Sequence, residues 1–128
     1  TMDRIYTIHE HNDLKFINLT GKTIIMKDGT EFPPENFELR SRVVLLFGNE
    51  PDNLSPEMYY RAKYAEIMHV PDPDDIQWIS ELEQDTLVIT KPRMCNTYTY
   101  PVCMFKTFNG TNGVRYCDPD LIVWKPQN

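Results

Sequence analysis

The segment KPRMCNTYTYP (residues 91–101) brings bases, an amide, hydroxyls and aromatic rings together in one short stretch of the chain. An arginine guanidinium is a planar fork that suits a phosphate or carboxylate, and a tyrosine ring offers a flat face for another ring. A second arginine–tyrosine pair follows the glycine-rich segment NGTNG. The side chains that these patterns predict to bind a ligand are Lys91, Arg93, Asn96, Thr97, Tyr98, Tyr100, Arg115 and Tyr116.

This set of residue types predicts a site for a small, negatively charged, nucleotide-like molecule. The guanidinium groups would hold the anion, the tyrosine rings would stack on a flat ring, and Asn96 and Thr97 would hydrogen-bond to its edge. Loops that a rigid sheet holds in place are common positions for binding residues. The alternative interpretation is structural, namely an exposed connection whose tyrosines pack against the rim of the core.

Metal binding and catalysis have less support in the sequence. His9 and His11 would share one face of a strand and, together with His69 or a carboxylate, would make part of a zinc site. No second pair with metal-ligand spacing occurs, so exposed polar residues at a strand end are the favoured interpretation. The sequence contains no nucleophile elbow, P-loop or dinucleotide-binding fingerprint. We therefore expect no metal and no cofactor, and we favour a non-enzymatic role.

The charge balance argues against binding to duplex nucleic acid. The net charge is −6, whereas a duplex-binding protein uses basic residues to neutralise phosphates. Two acidic patches contribute much of the excess: Asp72, Asp74 and Asp75, then Glu81, Glu83 and Asp85. We interpret Asp74 and Asp75 as first-turn residues of a helix, where capping and the helix dipole favour carboxylates.

A second functional hypothesis is an interaction protein that blocks a host enzyme. It would use the acidic patches or a short helix that carries Met58–Tyr64, because aromatic residues, methionine and arginine are enriched at protein interfaces. At helical spacing the same residues are also typical of ordinary core contacts.

The overall composition predicts one soluble domain. The 128 residues suit a single β-rich domain over 1–128. The sequence shows no signal peptide and no apolar run near the roughly 20 residues that a membrane helix needs, so we expect no membrane association and a cytoplasmic location. Cys95, Cys103 and Cys117 lack C-x-x-C spacing, which predicts reduced and partly buried thiols.

Hydrophobic patterning predicts roughly eight short strands and one or two short helices. Arg4–His9, Leu14–Leu19 and Thr86–Thr90 alternate as strands do, and Ser41–Phe47 is apolar enough to predict a central strand. Either a helix over Pro56–Ala65 or a strand over Tyr64–Val70 follows. Asp72 predicts the cap of a further helix. A last strand is expected over Leu121–Trp124, after Asp118 and Pro119.

These elements predict a mainly β (α+β) fold. The expected architecture is a compact antiparallel β barrel or sandwich with one or two short helical insertions. In the stretch FINLTGKTIIMKDGTEFPP (residues 16–34), the turn residues Asp28 and Gly29 indicate a hairpin. Pro33 and Pro34 then end the sheet, because proline cannot donate a ladder hydrogen bond.

The same stretch carries a family resemblance. Asn18-Leu19-Thr20, Asp28-Gly29, Phe32-Pro33-Pro34 and Arg42-Val43 resemble the N-terminal halves of small bacterial and phage proteins that read NLTPH…DG…IPPSG…ARV. Val70-Pro71, the acids that follow it and Leu87–Thr90 resemble the later pieces of that pattern. No reaction is assigned to the group, so the resemblance implies a bacterial or phage origin and a fold, not an activity.

Together these observations predict a phage or prokaryotic accessory protein in the cytoplasm of a bacterial host. It would bind and sequester a small anionic, nucleotide-like ligand, as a counter-defence protein of the sponge type does. A homo-oligomer is expected as well, because a small domain most easily encloses a pocket between subunits.

Overall fold

The computed structural model describes residues 4–47 and 64–124. Within these ranges the chain forms nine strands and two helices. In chain order they are β1 (His9–His11), β2 (Leu14–Leu19), β3 (Ile24–Ile25), β4 (Glu31–Phe32), β5 (Ser41–Phe47), β6 (Tyr64–Pro71), α1 (Pro73–Ser80), β7 (Thr86–Thr90), α2 (Pro92–Thr97), β8 (Val102–Asn109) and β9 (Arg115–Val123). The described part of the chain is therefore β-rich, and the expected fold class is confirmed.

The main sheet has five strands in the order β1-β2-β7-β8-β9 and is mixed. The two outer pairings are antiparallel, but β2 pairs with β7 and β7 with β8 in parallel. Parallel neighbours need a crossover connection, and α2 lies in the connection between β7 and β8. The expectation of a mainly antiparallel sheet is corrected for these two pairings, because residues 91–101 form a helical crossover instead of a loop. No closed barrel is formed by the described strands.

Both faces of the main sheet are covered, and this explains why β2 and β7 are buried along their length. Phe16, Leu87 and Ile89 belong to one hydrophobic cluster, while Ile17 and Val88 belong to another. Alternate residues of a strand point to opposite faces, so each strand supplies both clusters. Strands that are buried on both faces consist of nearly continuous apolar residues, as TLVIT does in β7.

The most apolar segment does not form a central strand. Within the described residues, β5 pairs with β6 alone in a two-stranded antiparallel ribbon. Val43 is 58% exposed, and Val44 and Met68 also lie at the surface. The expectation of a central strand was wrong because an apolar run resembles a buried strand whether or not neighbours cover it.

Near the middle of the chain, the alternative strand over Tyr64–Val70 is confirmed as β6. The predicted helix over Pro56–Ala65, and most of the Met58–Tyr64 segment, lie outside the described residues. Asp72 caps α1 as expected, because its side chain accepts a hydrogen bond from the Asp74 backbone N–H.

Two strand boundaries also differ from the prediction. Residues 4–8 are not a strand; the Tyr6 ring packs edge-on against Trp78 of α1 with 5.5 Å between ring centroids. At the other end, the last strand begins before Asp118 and Pro119 instead of after them, because β9 runs from Arg115 to Val123. The β8–β9 register shifts between Phe105 and Thr107, and a proline inside a strand is tolerated at such an irregularity.

The hairpin in the opening stretch is confirmed. The strands β3 and β4 are antiparallel, and Gly29 adopts φ +88° in the turn between them. The turn is closed by hydrogen bonds from the Met26 N–H to the Thr30 carbonyl and from the Gly29 N–H to the Met26 carbonyl, each 2.9 Å long. Among the described helices, none is long and apolar enough to cross a membrane.

All three cysteines are buried thiols that form no disulfide with one another, and they are more deeply buried than the sequence predicted. Burial, reinforced by the neighbouring Cys95, raises the pKa of Cys103 to about 12, and burial also raises the pKa of Cys117. We expect fewer than one thiol per chain to react with a disulfide reagent such as DTNB within minutes at pH 8, because the thiolate is the reactive form. In denaturing urea all three thiols should react at once. Fast reaction of a native thiol would contradict this packing.

Candidate functional site

A cavity of about 430 Å³ opens where the parallel strands β2 and β7 end. This volume lies within the roughly 300–1,000 Å³ that is typical of small-molecule sites. Its lining has a cationic rim and a largely apolar floor. The described residues that line it are Thr20, Lys22, Ile24, Ile89, Thr90, Lys91, Pro92, Arg93, Met104, Phe105, Thr107, Arg115 and Cys117.

The parallel register brings the two sides of the cavity together. Leu19 pairs with Thr90 at the last position of β2 and β7, so the residues that follow both strands leave the sheet at the same edge. Lys22 therefore comes from the turn after β2, and Lys91 and Arg93 come from the start of the α2 crossover. In sheets of parallel strands, ligands commonly bind beyond these carboxyl ends. Arg115 on β9 completes the rim from the opposite side.

The Asn-Leu-Thr motif of the opening stretch has a structural role at this edge. Asn18 is fully buried, and its amide nitrogen donates to the carbonyl oxygens of Lys22 at 2.9 Å and Phe32 at 3.0 Å. Its amide oxygen accepts from the Thr20 N–H at 3.0 Å and from the Thr20 hydroxyl at 2.7 Å. The buried amide thus fixes the turn that carries Thr20 and Lys22 to the cavity.

The charges at the rim are only partly neutralised. Lys91 Nζ lies 3.0 Å from Glu38 Oε1, and Arg115 donates to the Thr107 hydroxyl at 3.1 Å. Within the described part of the chain, no carboxylate pairs with the side chains of Lys22, Arg93 or Arg115. Three cations therefore surround one cavity with no acidic partner among the described residues, an arrangement that favours an anionic guest.

The floor of the cavity comes from the core. Ile24, Ile89 and Phe105 are buried members of one hydrophobic cluster, and Met104 is half-buried beside them. Cys117 adds a thiol that stays protonated at neutral pH, because burial raises its pKa more than the nearby Arg115 lowers it. A neutral thiol packs as a small hydrophobic group. The floor therefore offers apolar contact.

Of the eight predicted site residues, the structure brings Lys91, Arg93 and Arg115 together around this cavity. Thr97, Tyr98 and Tyr100 line a separate, smaller hollow of about 160 Å³ beside α1. Asn96 is exposed and lies outside both linings.

The remaining predicted tyrosines make contacts of their own. The Tyr100 ring lies 5.2 Å from that of Trp124. Tyr116 places its hydroxyl beside the Asn112 side chain in the β8–β9 hairpin, 3.4 Å from Asn112 Nδ2. Neither tyrosine contributes to the lining of the cationic cavity.

Tyr98 belongs to a buried polar cluster. Its hydroxyl oxygen lies 2.6 Å from the Arg40 carbonyl and 3.2 Å from Asp75 Oδ2, and it accepts from the Asp72 N–H at 3.1 Å. Burial, helped by the Asp75 carboxylate, raises the pKa of Tyr98, so the phenol stays neutral. Asp75 is fully buried and also binds the Arg4 guanidinium and the Arg40 N–H. This cluster ties residues 4–8, α1 and α2 together.

A wider hollow of about 720 Å³ lies next to this cluster, lined by Arg4, Ile5 and residues 36–40. Each of its charged side chains already has an ion-pair partner that lies outside the lining. Arg4 binds Asp75, Glu38 binds Lys91, and the Arg40 guanidinium lies 3.8 Å from Asp75 Oδ1. The hollow is therefore a weaker candidate for an anion site than the cavity with the unpaired cations.

The two histidines of the possible zinc site pack against aromatic rings. The His9 ring lies 4.9 Å from the Phe32 ring, and the His11 ring lies 5.5 Å from it. His11 Nε2 is also 3.3 Å from Asp28 Oδ2. A search of the described residues finds no group of three or more histidine, cysteine or acidic side chains placed to hold a metal.

Sequence reasoning missed the part of the cavity that comes from Thr20, Lys22 and Thr107. The available signal was the turn Thr20-Gly21-Lys22 directly after a strand, in the same position relative to β2 as Lys91 has relative to β7. Recognising it required knowing that these two strands are parallel neighbours. Local patterns do not show this, because the strands are far apart in the chain.

Gly21 allows the Lys91–Glu38 ion pair to lie close to the turn. It adopts φ +78°, and an added Cβ would lie 3.1 Å from Glu38 Oε1. We expect Gly21→Ala to lower the free energy of unfolding by about 1–2 kcal/mol, from the left-handed backbone alone, with a further loss from displacement of Glu38. Urea unfolding measures this. Gly29→Ala is the matched control, since Gly29 has φ +88° with open space around it. An equal loss in both variants would show that displacement of Glu38 contributes nothing to the loss of stability.

Comparison with known proteins places this chain in no family. It matches no protein-family model, no curated protein and no solved structure. The N-terminal resemblance to small bacterial and phage proteins stays a prediction.

Proposed function

We propose that this protein binds and sequesters a small anionic ligand in the cationic cavity between Lys22, Lys91, Arg93 and Arg115. The single observation that supports the proposal is the convergence of these cations on one apolar-floored cavity of about 430 Å³. A nucleotide-like ligand in a phage or bacterial counter-defence setting is the specific form that the sequence predicts.

The charge of the whole chain makes this convergence more informative. The protein has 19 acidic residues against 13 lysines and arginines, and its net charge is −6. Several cations that surround one cavity attract an anion more strongly than the same charges scattered over the surface do.

Sequestration without turnover is favoured by the side chains of the lining. The described residues that line the cavity include neither a carboxylate nor an imidazole. General acid–base catalysis most often uses a group of that kind, with a pKa near the working pH. The Cys117 thiol does not serve as a catalytic base, because burial raises its pKa above the ordinary value.

Calorimetric titration tests the proposal. The purified chain is titrated with inorganic phosphate, simple phosphate monoesters, AMP, ADP, cyclic AMP and cyclic dinucleotides. We expect saturable binding of at least one of these anions, weakening as salt rises. Chromatography after overnight incubation should return the bound compound unchanged. Absence of heat with every anion would reject the proposal, and conversion of the compound would replace sequestration by catalysis.

A second candidate is an interaction protein that inhibits a host enzyme. The observation that favours it is the β5–β6 ribbon, where Val43, Val44 and Met68 lie at the surface. Of the acidic patches, Asp72 and Asp75 are buried and used within the fold, whereas Glu81, Glu83 and Asp85 are exposed. Pull-down from a bacterial lysate with Val43→Lys as the control tests this candidate. If both baits recover the same proteins, the ribbon is excluded as the surface that binds them.

The proposed ligand site does not require a second subunit, because a single chain forms the described lining. A homo-oligomer is still part of the proposal, with the exposed ribbon as the surface for it. Sedimentation velocity over a hundredfold range of concentration would measure the oligomeric state, and a monomer throughout that range would exclude it.

A further inference from the structure

We infer that the body of the ligand is apolar: the cavity selects a compact amphipathic anion, with a hydrocarbon ring or chain joined to a phosphate or carboxylate, over a nucleotide. The inference rests on the proposed function, because it concerns the same anion site, but it replaces the nucleotide-like body that the sequence predicts with an apolar one. It goes further by assigning different chemistry to the rim and to the floor.

The rim provides the contacts for the charged end of the ligand. Arg93 and Arg115 have guanidinium groups without acidic partners among the described residues, and such groups bind phosphate or carboxylate oxygens in a bidentate manner. The Thr107 hydroxyl accepts from Arg115 at 3.1 Å, and its own proton is available to an anion beside that arginine. These contacts recognise the anionic group and do not discriminate between ligands that differ in the rest of the molecule.

The floor offers almost nothing to the polar edge of a base. Ile24, Ile89, Met104 and Phe105 present hydrocarbon and sulfur, and the Thr90 hydroxyl is buried and points to the Cys103 carbonyl at 3.5 Å. A base has several ring nitrogens and exocyclic groups that lose hydrogen bonds to water when they enter such a floor. Buried polar groups without partners weaken binding, so an apolar ring is favoured over a base of similar size.

The side chains that were expected to read and stack a base are placed elsewhere. Asn96 lies outside the lining, and Thr97 lines the separate hollow beside α1. Tyr98 is buried in the Asp75 cluster, and Tyr100 lies beside Trp124. Among the described residues that line the cavity, Phe105 is the one aromatic side chain, and its ring belongs to the buried core cluster.

The test compares ligands that share a phosphate monoester and differ in the body. The full chain is titrated by calorimetry with 1-naphthyl phosphate, AMP and ribose 5-phosphate under identical salt conditions. We expect 1-naphthyl phosphate to bind at least about tenfold more tightly than AMP, a difference of about 1.4 kcal/mol. AMP should bind no more than about threefold more tightly than ribose 5-phosphate, because its base gains little in the floor.

The outcomes separate this inference from the proposed function. Binding of AMP that equals or exceeds that of 1-naphthyl phosphate overturns the inference and leaves the anion site in place. If none of the three compounds binds, the inference is rejected, and the proposed function is rejected with it only if the wider panel of anions also gives no heat. Met104→Gln, which introduces an amide into the floor, should weaken 1-naphthyl phosphate by about fivefold or more and leave AMP unchanged or slightly tighter. An equal loss for both ligands in this variant would also count against an apolar body.

Discussion

Asp75→Asn is expected to lower the free energy of unfolding by about 3–5 kcal/mol, because it leaves a buried cation without its counter-ion. Asp75 is fully buried, and the Arg4 side chain that binds it is 8% exposed. The Arg4 guanidinium also lies 4.9 Å from the centre of the Trp78 ring, so it has little room to reach water. The total free energy of unfolding of a folded domain is about 5–15 kcal/mol, so this loss would be a large part of it.

Asp74→Asn is the matched control for this variant. Asp74 is the preceding residue in the first turn of α1, and it is exposed. Removal of the Asp74 charge should lower the free energy of unfolding by no more than about 0.3–1 kcal/mol, which is the usual contribution of a carboxylate near a helix N-terminus. Urea unfolding followed by circular dichroism measures both variants. Equal effects at the two positions would contradict the view that Asp75 is a buried structural charge.

Reversal of the two rim arginines is expected to abolish most of the anion affinity. The double variant Arg93→Glu with Arg115→Glu should weaken both 1-naphthyl phosphate and AMP by at least roughly 100-fold, about 2.8 kcal/mol. The reason is that two attractive charges are replaced by two repulsive ones around the same cavity. Each single reversal should cost about tenfold, and the loss should shrink as salt screens the charges. Calorimetry gives the affinities.

Lys106→Glu provides the control for charge. Lys106 is an exposed cation on β8, the strand that also carries Thr107, but it is absent from the described lining of the cavity. It changes the net charge by the same amount as one arginine reversal, so it reports the effect of overall charge alone. We expect a change of less than about threefold. A loss as large as that of Arg93→Glu would mean that the cavity makes no specific contribution.

The sequence predicted the individual strands, turns and caps better than it predicted which strands lie side by side. The strand at Thr86–Thr90, the hairpin at Gly29 and the cap at Asp72 depend on local chemistry, and all three are present. The parallel pairing of β2 with β7 joins segments that are far apart in the chain, and it has no local signature. The exposed ribbon was mistaken for a central strand for the same reason, because burial depends on what packs against a strand.

The candidate site was predicted in part. The residue types of Lys91, Arg93 and Arg115 were sufficient to select them, and the fold places them around one cavity. The tyrosines were selected on the same ground, but a phenol serves equally well in a core. Tyr98 does so, with its hydroxyl shared among Arg40, Asp72 and Asp75. To tell a ligand-binding tyrosine from a core tyrosine, one must know which face of the α2 crossover packs on the sheet.

An NMR titration of the ¹⁵N-labelled chain tests the anion site most directly. Added 1-naphthyl phosphate or AMP should shift the amide resonances of Lys22, Arg93, Thr107 and Arg115 together and saturably, while those of Thr97 and Tyr100 in the other hollow stay in place. Shifts confined to Thr97 and Tyr100, or no saturable shift with either compound, would contradict the site.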